Sequence, residues 1–127
     1  MNPIISFTIP LNPTTKKNSQ QIFWNKAINR PFITQSKTYK EYEKSCSRYI
    51  PDFEAISYPI RLKALYYRRT KHLVDLNGLN QALHDILVKY KLLADDNSHI
   101  VASTDGSRVY YDKDNPRTEI EIYNFTK

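Results

Sequence analysis

Four aspartates carry the chemistry this sequence could perform: Asp75, Asp85 and the adjacent pair Asp95 and Asp96. Asp75 precedes, and the pair follows, an amphipathic run within His72–Ile100. An acid at a helix start needs no catalytic explanation, because it accepts hydrogen bonds from unpaired backbone N–H groups and faces the positive end of the dipole. That reading suffices for Asp75 or Asn77. It does not cover Asp95 and Asp96, which fall past the C-terminus, where the dipole gives a carboxylate nothing. Two neighbouring carboxylates that stay ionised need solvent or a cation. Spacing alone leaves both a solvated turn and a metal site open.

The elements that must position these acids follow from periodicity. At 100° per residue, Leu76, Leu79, Ala82, Leu83, Ile86, Leu87 and Tyr90 fall within roughly a 140° arc, which predicts a helix over about 77–91. Asn77, Gln81 and Asp85 form a polar stripe opposite. A second helix is expected over about 37–49, with Ser36 as N-cap and Pro51 as terminator. Its Tyr39, Tyr42, Cys46, Tyr49 and Ile50 make one face, read as core. Strands are expected at 4–9, at QIFWN and PFIT around a turn near Asn25–Arg30, and at 59–71. In the last of these Ile60, Leu62, Ala64 and Tyr66 alternate with Arg61, Lys63 and Leu65. HIVAS and SRVYY read as a hairpin about Thr104, Asp105 and Gly106, and RTEIEIYNF as a final strand. The order predicts a single α+β domain over 1–127, with a mixed, mainly antiparallel sheet packed with two helices.

Composition narrows the classes. The chain has 127 residues, 40% hydrophobic and 25% charged, an ordinary globular balance. No apolar run approaches the roughly 18 residues of a membrane span. MNPIISFTIP lacks a basic segment followed by a long apolar stretch, so no signal peptide and a cytoplasmic location are expected. A lone cysteine, Cys46, excludes an internal disulfide. Cys46, His72, His84 and His99 lack zinc-ligand spacing. There is no Gly-rich phosphate loop and no nucleophile–base set, so no organic cofactor is expected.

Charge is segregated. Residues 1–40 hold six of the 19 basic side chains and no acid, leaving 13 basic against 13 acidic in the remainder. Such asymmetry fits a surface facing a polyanion, most often nucleic acid, or simply a solvated basic face. The candidate phosphate contacts are Lys16, Lys17 and Asn18 in the N-terminal loop, then Arg61, Lys63, Arg68, Arg69 and Lys71 on the way to Asp75. Arg108 and Lys113 complete the set. A basic strand delivering the chain to an acidic site suits a nuclease; a charged, solvated sheet edge is the alternative.

The basic loop TKKNSQ, the run RRTKHLVDLNGL and the post-helix ADDNSHI together resemble the RusA family of Holliday-junction resolvases, small endodeoxyribonucleases of bacteriophages and prophages. The likeness spans nearly the whole chain. It implies a homodimeric enzyme in a bacterial cell that resolves four-way DNA junctions by paired symmetric hydrolysis, with Mg2+ as cofactor and Mn2+ as substitute. By the same resemblance Asp75 and Asp96 are metal ligands, Asp95 a ligand or water-orienting group, and Asp85 a supporting acid. Asn77, Gly78 and Gln81 depart from the family pattern, standing where it has Asp, Asn and Lys. Asn77 retains a carbonyl oxygen for ligation but brings no charge, and Gln81 supplies no cation. Magnesium would polarise the scissile phosphate and acidify a bound water. A helix of about 14 residues spans roughly 21 Å. Asp75 and the Asp95–Asp96 pair therefore meet only if the chain folds back sharply or if two subunits share their sites. The departures also admit a catalytically inactive junction-binding protein. A third reading is a single-strand or RNA-binding module using Tyr66 or Tyr67.

Overall fold

The computed structural model describes residues 2–16, 20–25, 30–35 and 37–125. The elements run β1 (Ile5–Ile9), β2 (Gln20–Asn25), β3 (Arg30–Gln35), α1 (Lys37–Cys46), β4 (Ile60–Arg68), α2 (Leu76–Lys89), β5 (Val101–Ser103), β6 (Arg108–Tyr111) and β7 (Arg117–Asn124), with a short 3-10 turn at Ser47–Tyr49 after α1. This is an α+β fold with a mixed sheet. β4 lies at its centre, antiparallel to β7, which is antiparallel to β1 on its far side. β2 and β3 pair with each other as a separate antiparallel ribbon. The expected turn between them and the expected cap Ser36 lie outside the described residues.

β5 and β6 are the one departure from the expected strand pairing. Instead of a hairpin, both run parallel to β4 along the same edge, β5 at Ile60–Arg61 and β6 at Leu65–Arg68. α2 provides the crossover that a parallel pairing needs. Between the two short strands the edge is held by a side chain: the Ser107 hydroxyl accepts from the Ala64 N–H at 3.0 Å. The turn before it needs its glycine, since Gly106 has φ +91°.

Alternation along β4 decides which face is buried. Ile60, Leu62, Ala64 and Tyr66 are at most 1% exposed, and so are Thr118, Ile120 and Ile122 of β7. Leu79, Leu83, Ile86 and Leu87 of α2 complete this core. Each such side chain contributes about 1.5–3 kcal/mol through burial, enough to fix the rotation of α2 on the sheet. Tyr39 and Cys46 of α1 are fully buried, whereas Tyr49 is 39% exposed, so the aromatic face of α1 fades at its end. Burial pushes the Cys46 thiol up to about 12, leaving it an inert core residue. Among the described residues, no helix is long and apolar enough to cross a membrane.

Candidate active site

Asp75 caps α2. Its backbone is extended, and its Oδ1 accepts from the Asn77 N–H at 3.0 Å. Arg68, at the end of β4, donates from Nη1 to the His72 carbonyl and shapes the loop that brings Asp75 to this position. The cap explains why an acid starts the helix.

The other end reverses sharply. Lys91 takes a left-handed conformation, φ 67°; the Leu92 N–H reaches back to the Leu87 carbonyl and the Lys91 N–H to that of Val88. This is a Schellman termination with lysine where glycine is usual. Leu92 and Leu93 then enter the core, and Ile56 bonds to the backbone on both sides of Leu93. The chain thus folds back, bringing Asp96 within electrostatic reach of Asp85. Asp96 is more easily protonated than an ordinary carboxylate, first through partial desolvation and then through the negative charge of Asp85 and a hydrogen bond with Asp95. Asp95 organises the turn: Oδ1 accepts from the Asp96 N–H at 2.7 Å and Oδ2 from the Asn97 amide at 3.1 Å.

Asp85 has a cation against it. Lys16 Nζ lies 2.7 Å from Asp85 Oδ2, with both side chains about a third exposed (32% and 33%). The segment 11–16 that delivers Lys16 is laid along α2. The Arg69 N–H donates to Asn12 Oδ1, and buried Thr15 packs against Gly78. A side chain grown at Gly78 would meet Thr15 at 3.6 Å, ordinary contact, so glycine here gives close approach without being obligatory. Tyr39 of α1 faces the same cluster: the Lys16 ammonium is 5.9 Å from its ring, and burial, then Glu43, then Asp85 raise its phenol above the usual range. Glu43 in turn pairs with Lys89, tying α1 to α2.

One buried hydrogen bond fixes α2 to the sheet between Asp75 and Asp85. The Tyr66 hydroxyl donates to Asn80 Oδ1 at 2.7 Å, with Tyr66 1% and Asn80 7% exposed. Asn80 sits at the edge of the apolar arc beside Leu87, which is the signal that could have marked it from sequence.

Of the expected site residues, Asp96 feels the charge of Asp85 and is hydrogen-bonded to Asp95, and Lys16 pairs with Asp85. Asp75 and Asn77 lie at the far end of α2. Among the described residues, no three His, Cys, Asp or Glu side chains converge as a metal would need within one chain.

The basic residues divide. Arg61 and Lys63 project from the face of β4 opposite α2, so the sheet separates them from the acids. Arg61 stacks on Tyr123 at 4.2 Å and Lys63 pairs with Glu121 at 3.4 Å. Lys71 lies 5.0 Å over the Tyr111 ring. Arg69, Arg108 and Lys113 are exposed. Lys17 and Asn18 lie outside the described residues. Tyr66 belongs to the core, which removes it as a base-stacking group, whereas Tyr67 faces outward. The sequence matches no protein-family model and no curated protein.

Proposed function

We propose that this protein is a RusA-like endodeoxyribonuclease, acting as a homodimer with Mg2+ on four-way DNA junctions. The observation that carries the reading is the Lys16–Asp85 pair on one flank of α2, with Asp96 near enough to feel the Asp85 charge. A carboxylate whose proton affinity is raised by a neighbouring negative charge, as that of Asp96 is beside Asp85, is relieved by a bound cation. Asp85 and Asp96 would hold the ion, with Asp95 orienting the loop around it. The ion would supply Lewis acidity at a phosphodiester. Lys16 would hold the phosphate in place of the cation that Gln81 does not provide.

Asp75 stands apart from this cluster in one chain. In a dimer with antiparallel α2 helices, Asp75 and Asn77 of one subunit would approach Asp95 and Asp96 of its partner, giving two equivalent sites suited to two symmetric nicks. A second reading is favoured by the lack of a converged three-ligand group among the described residues: a protein that binds junctions without cutting them.

Cation-dependent stability separates the two. A ligand that binds only the folded protein raises its melting temperature in proportion to occupancy. Mg2+ or Mn2+ should raise the melting temperature of the wild type and not of Asp85→Asn or Asp96→Asn. An equal response in all three would remove the acids from any metal site and leave the binding-only reading.

A further inference from the structure

The face of the sheet away from the helices carries an ordered set of aromatic and cationic side chains that the acids on α2 do not use. Strand register defines it rung by rung. Arg117, Tyr67 and Tyr110 form one rung across β7, β4 and β6. Glu119, Leu65 and Arg108 form the next, then Glu121 with Lys63, then Tyr123 with Arg61. The side chains are stacked accordingly. The Arg117 guanidinium lies 3.8 Å from the Tyr67 ring centroid, and Tyr67 lies against Tyr110 with centroids 5.0 Å apart and planes 19° from parallel. Tyr110 is 42% exposed, so the outermost ring of this stack presents itself to solvent at the sheet edge.

The charge on these rungs is that of a polyanion site. Four cations, Arg61, Lys63, Arg108 and Arg117, face two carboxylates, Glu119 and Glu121, and both carboxylates are already paired, with Arg117 and Lys63. Asp112 is also held by Arg117 and is followed directly by exposed Lys113. Arg61 has no carboxylate partner among the described residues: its Nη1 donates to the Asp105 carbonyl and its plane covers Tyr123, and a guanidinium carries five N–H donors in all. Flat rings already stacked, interleaved with guanidinium groups, match the alternation of base and phosphate in an unpaired strand.

We propose that this open sheet face is a stacking platform for single-stranded DNA, with Tyr110 taking a base on its open face, Tyr67 and Arg117 backing it, and Arg61 and Arg108 taking phosphates. The choice of DNA over RNA rests on the function proposed above; the platform itself does not depend on cleavage. A four-way junction exposes unpaired or unstacked bases where its strands exchange, and a surface on the opposite side of the sheet from the acids would hold such a strand without entering the cutting site.

The test is fluorescence anisotropy in EDTA with a labelled oligothymidylate of about 12 nucleotides, within the site size of a single such domain. Wild type, Tyr110→Ala, Tyr110→Phe and Arg108→Gln are compared, each checked by circular dichroism and by sedimentation for dimer content. Loss of a stacked base should weaken binding by about 5- to 100-fold in Tyr110→Ala, while Tyr110→Phe, which keeps the ring, stays within about twofold. Arg108→Gln should lower affinity and flatten its salt dependence. Unchanged affinity in Tyr110→Ala would overturn the platform. So would a loss of dimer in that variant with oligonucleotide affinity retained, which would make the face a subunit interface. Tighter binding of the matching duplex or of an oligouridylate would overturn its assignment to single-stranded DNA. Failure of junction nicking alone would leave these results standing, because no cation is present.

Discussion

Replacing Tyr66 by Phe removes one oxygen from a site where no solvent can substitute for it. Tyr66 is 1% and Asn80 7% exposed, and the hydroxyl donates to Asn80 Oδ1 at 2.7 Å. The variant keeps the ring and its packing against the core, so the change isolates the polar contact. A buried acceptor left without a partner costs about 1–3 kcal/mol, well above the net worth of a solvent-exposed hydrogen bond. Equilibrium unfolding in urea should therefore give Tyr66→Phe a loss of about 1–3 kcal/mol with an unchanged m-value. The double variant Tyr66→Phe/Asn80→Leu should recover much of this, because removing both polar partners leaves no orphan. A loss below about 0.5 kcal/mol in the single variant, or additive losses in the double one, would refute the inference that this bond clamps α2 to β4.

Other outcomes follow from the ends of α2. Lys91→Gly should stabilise the protein by about 0.5–1 kcal/mol, since a lysine at φ 67° bears the left-handed penalty that glycine lacks; urea midpoints measure it, and a destabilised variant would contradict the termination described. Asp96 has its folded-state proton affinity raised, so its contribution to stability is present below the ordinary carboxylate range and is lost as pH rises through its elevated value. Asp96→Asn should accordingly melt higher than wild type at pH 7 and lose that advantage as the pH falls below about 4. Melting curves across that range that stay parallel would show that Asp96 is not under electrostatic strain.

The alternation along β4 and β7 and the apolar arc of α2 were legible in sequence because each element buries one face against a single core, and that requirement writes itself at period 2 or 3.6. The pairing of β5 and β6 was not. Two short strands about a glycine turn look alike whether they fold on each other or run on along one edge; what distinguishes them is their pairing with β4 and the Ser107–Ala64 contact across 43 residues, all of it long-range. The acids were found by type and spacing, but their grouping depended on the reversal at Lys91, a left-handed residue that composition does not announce. Lys16 meets Asp85 across 69 positions, so no local pattern could have joined them. Arg117 escaped notice for the same reason: its stack on Tyr67 exists only once β4 and β7 are in register.

The proposal stands or falls on the cutting of a synthetic four-way junction in Mg2+, beside a linear duplex of the same sequence. Wild type is expected to introduce two symmetric nicks in the junction and to leave the duplex intact, with nicking lost in Asp85→Asn and in Asp96→Asn while junction binding persists. Binding of the junction without nicking in either Mg2+ or Mn2+, or nicking that survives both substitutions, would contradict a nuclease centre built on α2.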